Sequence, residues 1–254
     1  MAERLERWSP LVLLVAIIAV WQLVCSLLTI PEFIFPSPFK IAQALAEFTG
    51  PIALAAWQTF WVTMVGFTLS IVVGVLLGFL VGSTRLAHAA VFPLLVGFNA
   101  VPKAAIVPIL VVWFGIGLGP GILTAFLISF FPITVNMATG LATLEPELED
   151  VLRVLGAKRS DVLLKVGLPR SLPYFYASLK VAITLAFVGT VLAEMTAGDS
   201  GIGYLMQSAG SQQRLALAFA GLVTIGAMAM AMVELFSLLE KRTTGWAHRG
   251  SQGE

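Results

Sequence analysis

The chain has 254 residues, of which 58% are hydrophobic and 11% charged, with a formal net charge of +1. A soluble domain carries about 25% charged residues, so this composition excludes an ordinary soluble globule and offers no basic face for nucleic acid. The single cysteine, Cys25, excludes an intrachain disulfide, and within its apolar run it reads as a small buried hydrophobe.

Met1–Pro10 is short and mixed in charge. Leu11–Ile30 is then continuously apolar. The run is long for a signal-peptide core and no A-x-A site follows it, so it reads as a retained first span. Pro31–Pro51 breaks the pattern with four prolines. Inside it, Phe39–Phe48 predicts a short amphipathic helix whose apolar side is Phe39, Ile41, Ala42, Leu45 and Ala46. Trp57–Val81 is the second span, within a stretch that has no charge between Glu47 and Arg85. Its Gly66, Gly74, Gly78 and Gly82 fall on one face and let another helix approach closely.

His88 has no acid or cysteine near it in sequence and reads as an interfacial residue. Ala89–Leu118 is apolar but carries Pro93, Pro102 and Pro108, which predict a kinked or broken helix. Broken helices in membranes are tolerated where they are buried in protein or line a wet cavity. Lys103 in this stretch is therefore a candidate residue of a transport path; the other reading is a lysine snorkelling to water or paired at a subunit contact. Gly115, Gly117, Gly119, Pro120 and Gly121 predict a tight turn. Ile122–Leu144 is the fourth span, where Asn136 can bond between helices, with plain helix packing the favoured reading.

A polar island follows at Leu144–Pro173. Four acids (Glu145, Glu147, Glu149, Asp150) precede five bases (Arg153, Lys158, Arg159, Lys165, Arg170), an order that suits a helix macrodipole. Leu148, Val151, Leu152 and Leu155 form one apolar stripe at helical spacing. Gly156 can end that helix in the left-handed conformation. Ser160 or Asp161 can cap a second short helix that Pro169 is expected to stop. Tyr174–Ala197 is the fifth span, with Lys180 near its start and Glu194 near its end. Glu194 reads as a gate residue or as an interfacial one, with the interface favoured. Gly198, Gly201 and Gly203 follow in a loop that runs close to other backbone. Leu215–Leu239 is the sixth span, and a polar tail follows. The expected fold class is thus all-α: a polytopic membrane protein with about six transmembrane helices.

Asp150 through Pro169 reads D-V-L-x3-G-x9-V-x-L-P. This resembles the E-A-A-x3-G-x9-I-x-L-P motif of permease subunits in binding-protein-dependent ABC importers, with Asp150 at the Glu position and Val151 and Leu152 at the two alanines. PSPFKI (36–41), VPKAAIVPILVVWFGIG (101–117), FFPITVN (130–136) and AEMTAGDSGIGYLM (193–206) resemble the nitrate/sulfonate/taurine branch of that family. The resemblance implies a type I importer fold in which the 144–173 loop is a cytoplasmic coupling helix docked on an ATPase. It implies coupling contacts at Asp150, Val151, Leu152, Leu155, Gly156, Val166, Leu168 and Pro169, with Lys103, Asn136 and Glu194 as candidates along the translocation path. It also implies two ATPase subunits, a second permease copy in a homodimer, and a periplasmic or lipid-anchored solute-binding protein; the Phe39–Phe48 helix is either a plain surface helix or a contact for that last partner. The chain divides as 1–56 (first helix and outer segment), 57–240 (membrane domain) and 241–254 (cytoplasmic tail).

With the N-terminus inside, twelve of the fifteen Lys and Arg fall on the cytoplasmic side; Lys40 and Arg214 fall outside, and Lys103 falls in the membrane. This positive-inside bias places both termini and the 144–173 loop in the cytoplasm. No G-x-x-x-x-G-K-[ST] loop is present and no clustered Cys or His, so no catalytic residue, metal site or cofactor is expected on this chain, and ATP and Mg belong to the partner subunit. The reading is a permease subunit for a small anionic or organic solute, in the plasma (inner) membrane. A non-transporting membrane scaffold or sensor, or a membrane-embedded enzyme, are the alternatives.

Overall fold

The computed structural model describes residues 2–142, 151–152 and 154–244. Every regular element among them is helical. α1 is Ala2–Leu27, α2 Pro38–Glu47, α3 Thr49–Ser83, α4 Arg85–Ala100, α5 Lys103–Phe114 and α6 Leu118–Ala142. After the polar island come α7, Arg159–Val162, and a π-turn at Leu163–Gly167. Then follow α8, Leu168–Ala197, α9, Gly201–Ser211, and α10, Leu215–Thr243.

Among the described residues four helices are long and apolar enough to cross a membrane: α3, α6, α8 with the end of its π-turn, and α10. α4 and α5 pass the same test as a pair but are bent by 85°, the break that the three prolines predict. α1 contributes a further apolar stretch, Leu11–Leu27; at 1.5 Å per residue it spans about 26 Å, close to a hydrocarbon core.

The core is three helices packed along a small-residue seam. Gly66, Gly74, Gly78 and Gly82 of α3 lie directly on α6. A Cβ added at Gly66 would sit 2.5 Å from the Ile122 carbonyl oxygen, and one at Gly78 would sit 2.6 Å from Met137 Cβ. Ser70 and Ser129 hydroxyls meet across the same seam at 2.7 Å. On the other side of α6, Gly189 of α8 approaches Ala125, where an added Cβ would lie 2.9 Å from the Ala125 Cα. Phe67, Ala125, Ile133, Ile183, Ala186 and Phe187 fill the space between the three helices. α10 covers this core through Phe236, whose ring lies 5.7 Å from that of Phe67. The other end of α10 seats α2 and the start of α3, through Ala216 and Ala220 against Ile41, Ala44 and Ile52.

Several boundaries differ from the sequence reading for identifiable reasons. α3 begins at Thr49, well before Trp57, because Pro51 sits in the first turn, where its missing N–H has no partner to lose. α2 is capped by the Ser37 hydroxyl, with Pro38 at its first position. Of the expected apolar side it buries Ile41 and half-buries Leu45, with Ala44 buried beside them, while Phe39, Ala42 and Ala46 are exposed. Gly115 and Gly117 turn the chain with φ of 78° and 129°, but Gly119 and Gly121 already belong to α6. Gly121 is there because a Cβ would lie 2.8 Å from Val62 Cγ1.

Candidate functional site

The described part of the polar island begins at Val151, so Asp150 and the acids before it lie outside the described residues. The helix turn at Val151 and Leu152 ends at Gly156, whose φ is +86°. The Ala157 N–H reaches back to the Leu152 carbonyl at 3.0 Å, the 6→1 bond of a Schellman end. Val151, Val154 and Leu155 are left bare; Val154 is 87% and Leu155 77% exposed. Leu152 is half-buried. The expected stop at Pro169 does not occur. Instead α7 runs through the π-turn into α8, with the Leu168 N–H bonding to Leu163 O, five residues back. The wider turn shifts the hydrogen-bond ladder just ahead of Pro169, so the ring is accommodated without ending the helix. Val166, Leu168 and Pro169 are all half-buried at this end. Asp161 pairs with Lys165 one turn on, at 2.8 Å, and the hydrogen bond and charge of that ammonium hold the Asp161 carboxyl below its usual value. The end is pinned to α10 by Lys180, whose ammonium lies 2.6 Å from Glu240 Oε2. This pair, rather than snorkelling alone, satisfies Lys180.

Lys103 stands at the α4–α5 bend. Its ammonium turns back onto α4, 2.6 Å from Asn99 Oδ1 and in contact with the Asn99 carbonyl. A cation on the last carbonyls of a helix is electrostatically favourable, so Lys103 staples the bend. An ammonium has three donors, and the two bonds to Asn99 leave one for another acceptor. Phe98, Asn99, Val101 and Pro102 around it are exposed. Among the described residues Asn136 makes no bond between helices: its amide donates to the Pro132 carbonyl of its own helix at 2.9 Å.

Glu194 sits at the opposite end of α8 from the 151–170 segment and is buried, not interfacial. Its carboxylate accepts from the Thr59 hydroxyl, 2.9 Å from each oxygen, and from the Gly203 N–H at 2.8 Å. The Ile202 N–H donates to Thr59 Oγ1 at 2.8 Å, and the Gly201 N–H to Gln58 Oε1 at 3.1 Å. Three consecutive N–H groups at the start of α9, which no helical carbonyl can serve, are thus each bonded to a side chain of α3 or α8. Gly201 has φ +91° and an added Cβ would overlap the Glu194 carboxylate; at Gly203 it would lie 2.6 Å from Glu194 Cβ. The glycines are there because the carboxylate occupies their side-chain space.

The family model for the inner membrane component of binding-protein-dependent transport systems matches residues 70–244. The chain belongs to that family. It is a permease component of an ABC importer and a multi-pass inner-membrane protein. A probable ABC transporter permease protein of Haemophilus influenzae is 34% identical over 90% of this chain and 94% of its own length. The taurine transport system permease protein TauC of Escherichia coli is 28% identical over 92% of this chain and 87% of its own, which agrees with the branch that the sequence motifs resemble. Among solved structures, a chain of the MetNI methionine ABC transporter superposes with a TM-score of 0.68 at 17% identity, covering 78% of the permease and 98% of that chain. The expected type I importer fold is therefore present.

Sequence reasoning missed the partners of two charges, Glu240 for Lys180 and Thr59 with α9 for Glu194. Each pair lies on helices far apart in the chain, and no local pattern marks it. Gln58, Thr59 and Thr63 gave the available signal: three hydrogen-bonding side chains within two turns of a helix that has no charged residue.

Proposed function

We propose that the permease lines the translocation path of an ATP-driven importer and takes its energy from a separate ATPase seated on the 144–173 segment. The observation that carries this reading is the Gly156-ended turn. Val151, Val154 and Leu155 are exposed there, between Arg153, Lys158 and Arg159 in the chain. Bare apolar side chains among charges do not suit lipid tails, and they do suit a groove on a partner protein. The site comprises Asp150, Val151, Leu152, Leu155 and Gly156, with Val166, Leu168 and Pro169 behind them at the head of α8. Closure of the ATPase subunits would move this head as a rigid body with α8 and expose the path alternately to either side.

In this reading the segment and both chain termini face the cytoplasm. ATP and Mg are held by the partner, and a solute-binding protein delivers cargo to the end that carries α2 and α9. A second copy of the chain completes the path. The exposed backbone break at residues 98–102 supports this, because interrupted helices at membrane depth need protein or water beside them. Lys103, with one free donor, would face that path. The TauC relative handles taurine, and a small organic solute of that kind is the proposed cargo.

The test is co-purification of the permease with its ATPase subunit. Leu155→Asp and Gly156→Val should each lower its recovery at least tenfold while permease expression holds. Undiminished recovery with both variants would refute the coupling reading.

A further inference from the structure

We infer that Glu194 is a positioning residue: it holds α9 across α3 and the end of α8, and its release frees α9 to swing away from that end of the path. This rests on the importer reading for its role in transport, and on geometry alone for the latch itself.

The latch joins three elements that meet at few other polar points. From α3 come Gln58 and Thr59, from α8 Glu194, and from α9 the first three N–H groups. Thr59 is the keystone. Its single hydroxyl accepts from Ile202 and donates to Glu194, so neither α3 nor α8 alone can keep α9 in place. A second layer lies beneath it, where Thr63 Oγ1 is 2.7 Å from the Thr59 carbonyl and 2.9 Å from Thr190 Oγ1. No base reaches the carboxylate among the described residues; its charge faces hydroxyl and amide dipoles and the positive end of α9.

A carboxylate buried without a cation is an expensive way to fasten two helices. Apolar packing would do so more cheaply, as it does along the α3–α6 seam. What the carboxylate adds is a joint with two discrete states, held or hydrated. Gly198 and Gly201 flank the link from α8 to α9. A pocket of about 10 Å³, room for a single water, opens beside Glu194 between Gln58, Gly117, Gly121 and Asp199. Water entering there can replace the Gly203 and Thr59 bonds. α9 would then keep the Gly201–Gln58 bond and its apolar contacts, among them Ile202 and Met206 on Gly221 and Leu205 on the α2–α10 cluster.

The experiment uses the full-length permease in lipid nanodiscs, with the sole cysteine replaced (Cys25→Ala) and spin labels at Leu54→Cys on α3 and Gln207→Cys on α9, both exposed positions. Pulsed electron paramagnetic resonance should give one narrow distance for the parent. Glu194→Gln and Thr59→Val should each add a longer component, with a roughly tenfold or greater gain of released over held α9. Glu194→Asp should return part of it, and unfolding temperature should move little. Should Glu194→Gln fail to fold, Thr59→Val carries the measurement alone. An unchanged narrow distance in Glu194→Gln or Thr59→Val would overturn the latch. In the assembled importer, vanadate-trapped ATP should produce the same longer component in the parent. Absence of that response, with the variant result standing, would count against release of α9 during transport and leave the resting latch in place.

Discussion

The glycine seam between α3 and α6 makes a quantitative prediction with an internal control. In Gly66→Ala the new methyl meets the Ile122 carbonyl oxygen at 2.5 Å and Ala125 Cβ at 2.7 Å. Neither is the end of a flexible side chain, so the two helices must part by about 1 Å to restore ordinary contact distances. Overpacking of this sort costs about 1–3 kcal/mol. The intrinsic preference of a helix for alanine over glycine returns about 1 kcal/mol. The rigid neighbours put the cost at the upper end, so the net loss is about 2 kcal/mol. In Gly226→Ala, within α10, nothing lies within 4 Å of the new methyl, so only the favourable term remains and stability should rise by up to about 1 kcal/mol. Both variants are measured by thermal unfolding of the purified permease in one detergent. At about 2–4 °C per kcal/mol for a chain of this size, Gly66→Ala should melt about 4–8 °C lower and Gly226→Ala up to about 4 °C higher. Equal shifts, or a more stable Gly66→Ala, would show that close approach of the two backbones is not what the glycines serve.

Further outcomes follow from single contacts. Lys180→Met should lower stability by about 1–3 kcal/mol, between the values for exposed and fully buried pairs, since the partners are 28% and 15% exposed. Adding Glu240→Leu should recover most of that loss in the same melting assay, and an additive double variant would deny the coupling. Trp21 packs on Phe35 and Phe219, with ring centroids at 5.2 and 6.3 Å, yet its buried Nε1 has no hydrogen-bond partner among the described residues. Trp21→Phe removes that unpaired donor along with some contact, so it should cost under about 1 kcal/mol; a loss above about 3 kcal/mol would mean that the indole N–H is satisfied.

The parts of this fold that were legible in the sequence are those set by local pattern. The glycine spacing of α3 announced a close helix contact, the three prolines announced the α4–α5 break, and Gly156 announced a left-handed helix end. Proline was the least reliable guide. Pro51 closed a segment read as broken and Pro169 was expected to stop a helix, yet one lies in a first turn and the other follows a π-turn. Only the phase of the surrounding hydrogen-bond ladder distinguishes these cases, and that phase is not written in composition. The clasp at Glu194 was illegible for another reason: its carboxylate is joined to Thr59, 135 residues away in the chain. The Gly201-Ile202-Gly203 run announced close backbone approach without naming what approaches.

The most direct test of the coupling claim is a photo-reactive residue at position 154, where the parent valine is 87% exposed. Irradiation of inverted membrane vesicles from cells expressing the whole importer should cross-link the permease to a nucleotide-hydrolysing subunit, with the yield changing when ATP hydrolysis is arrested by vanadate. Cross-links to lipid alone, or labelling of the same position by an impermeant reagent added outside intact cells, would contradict it.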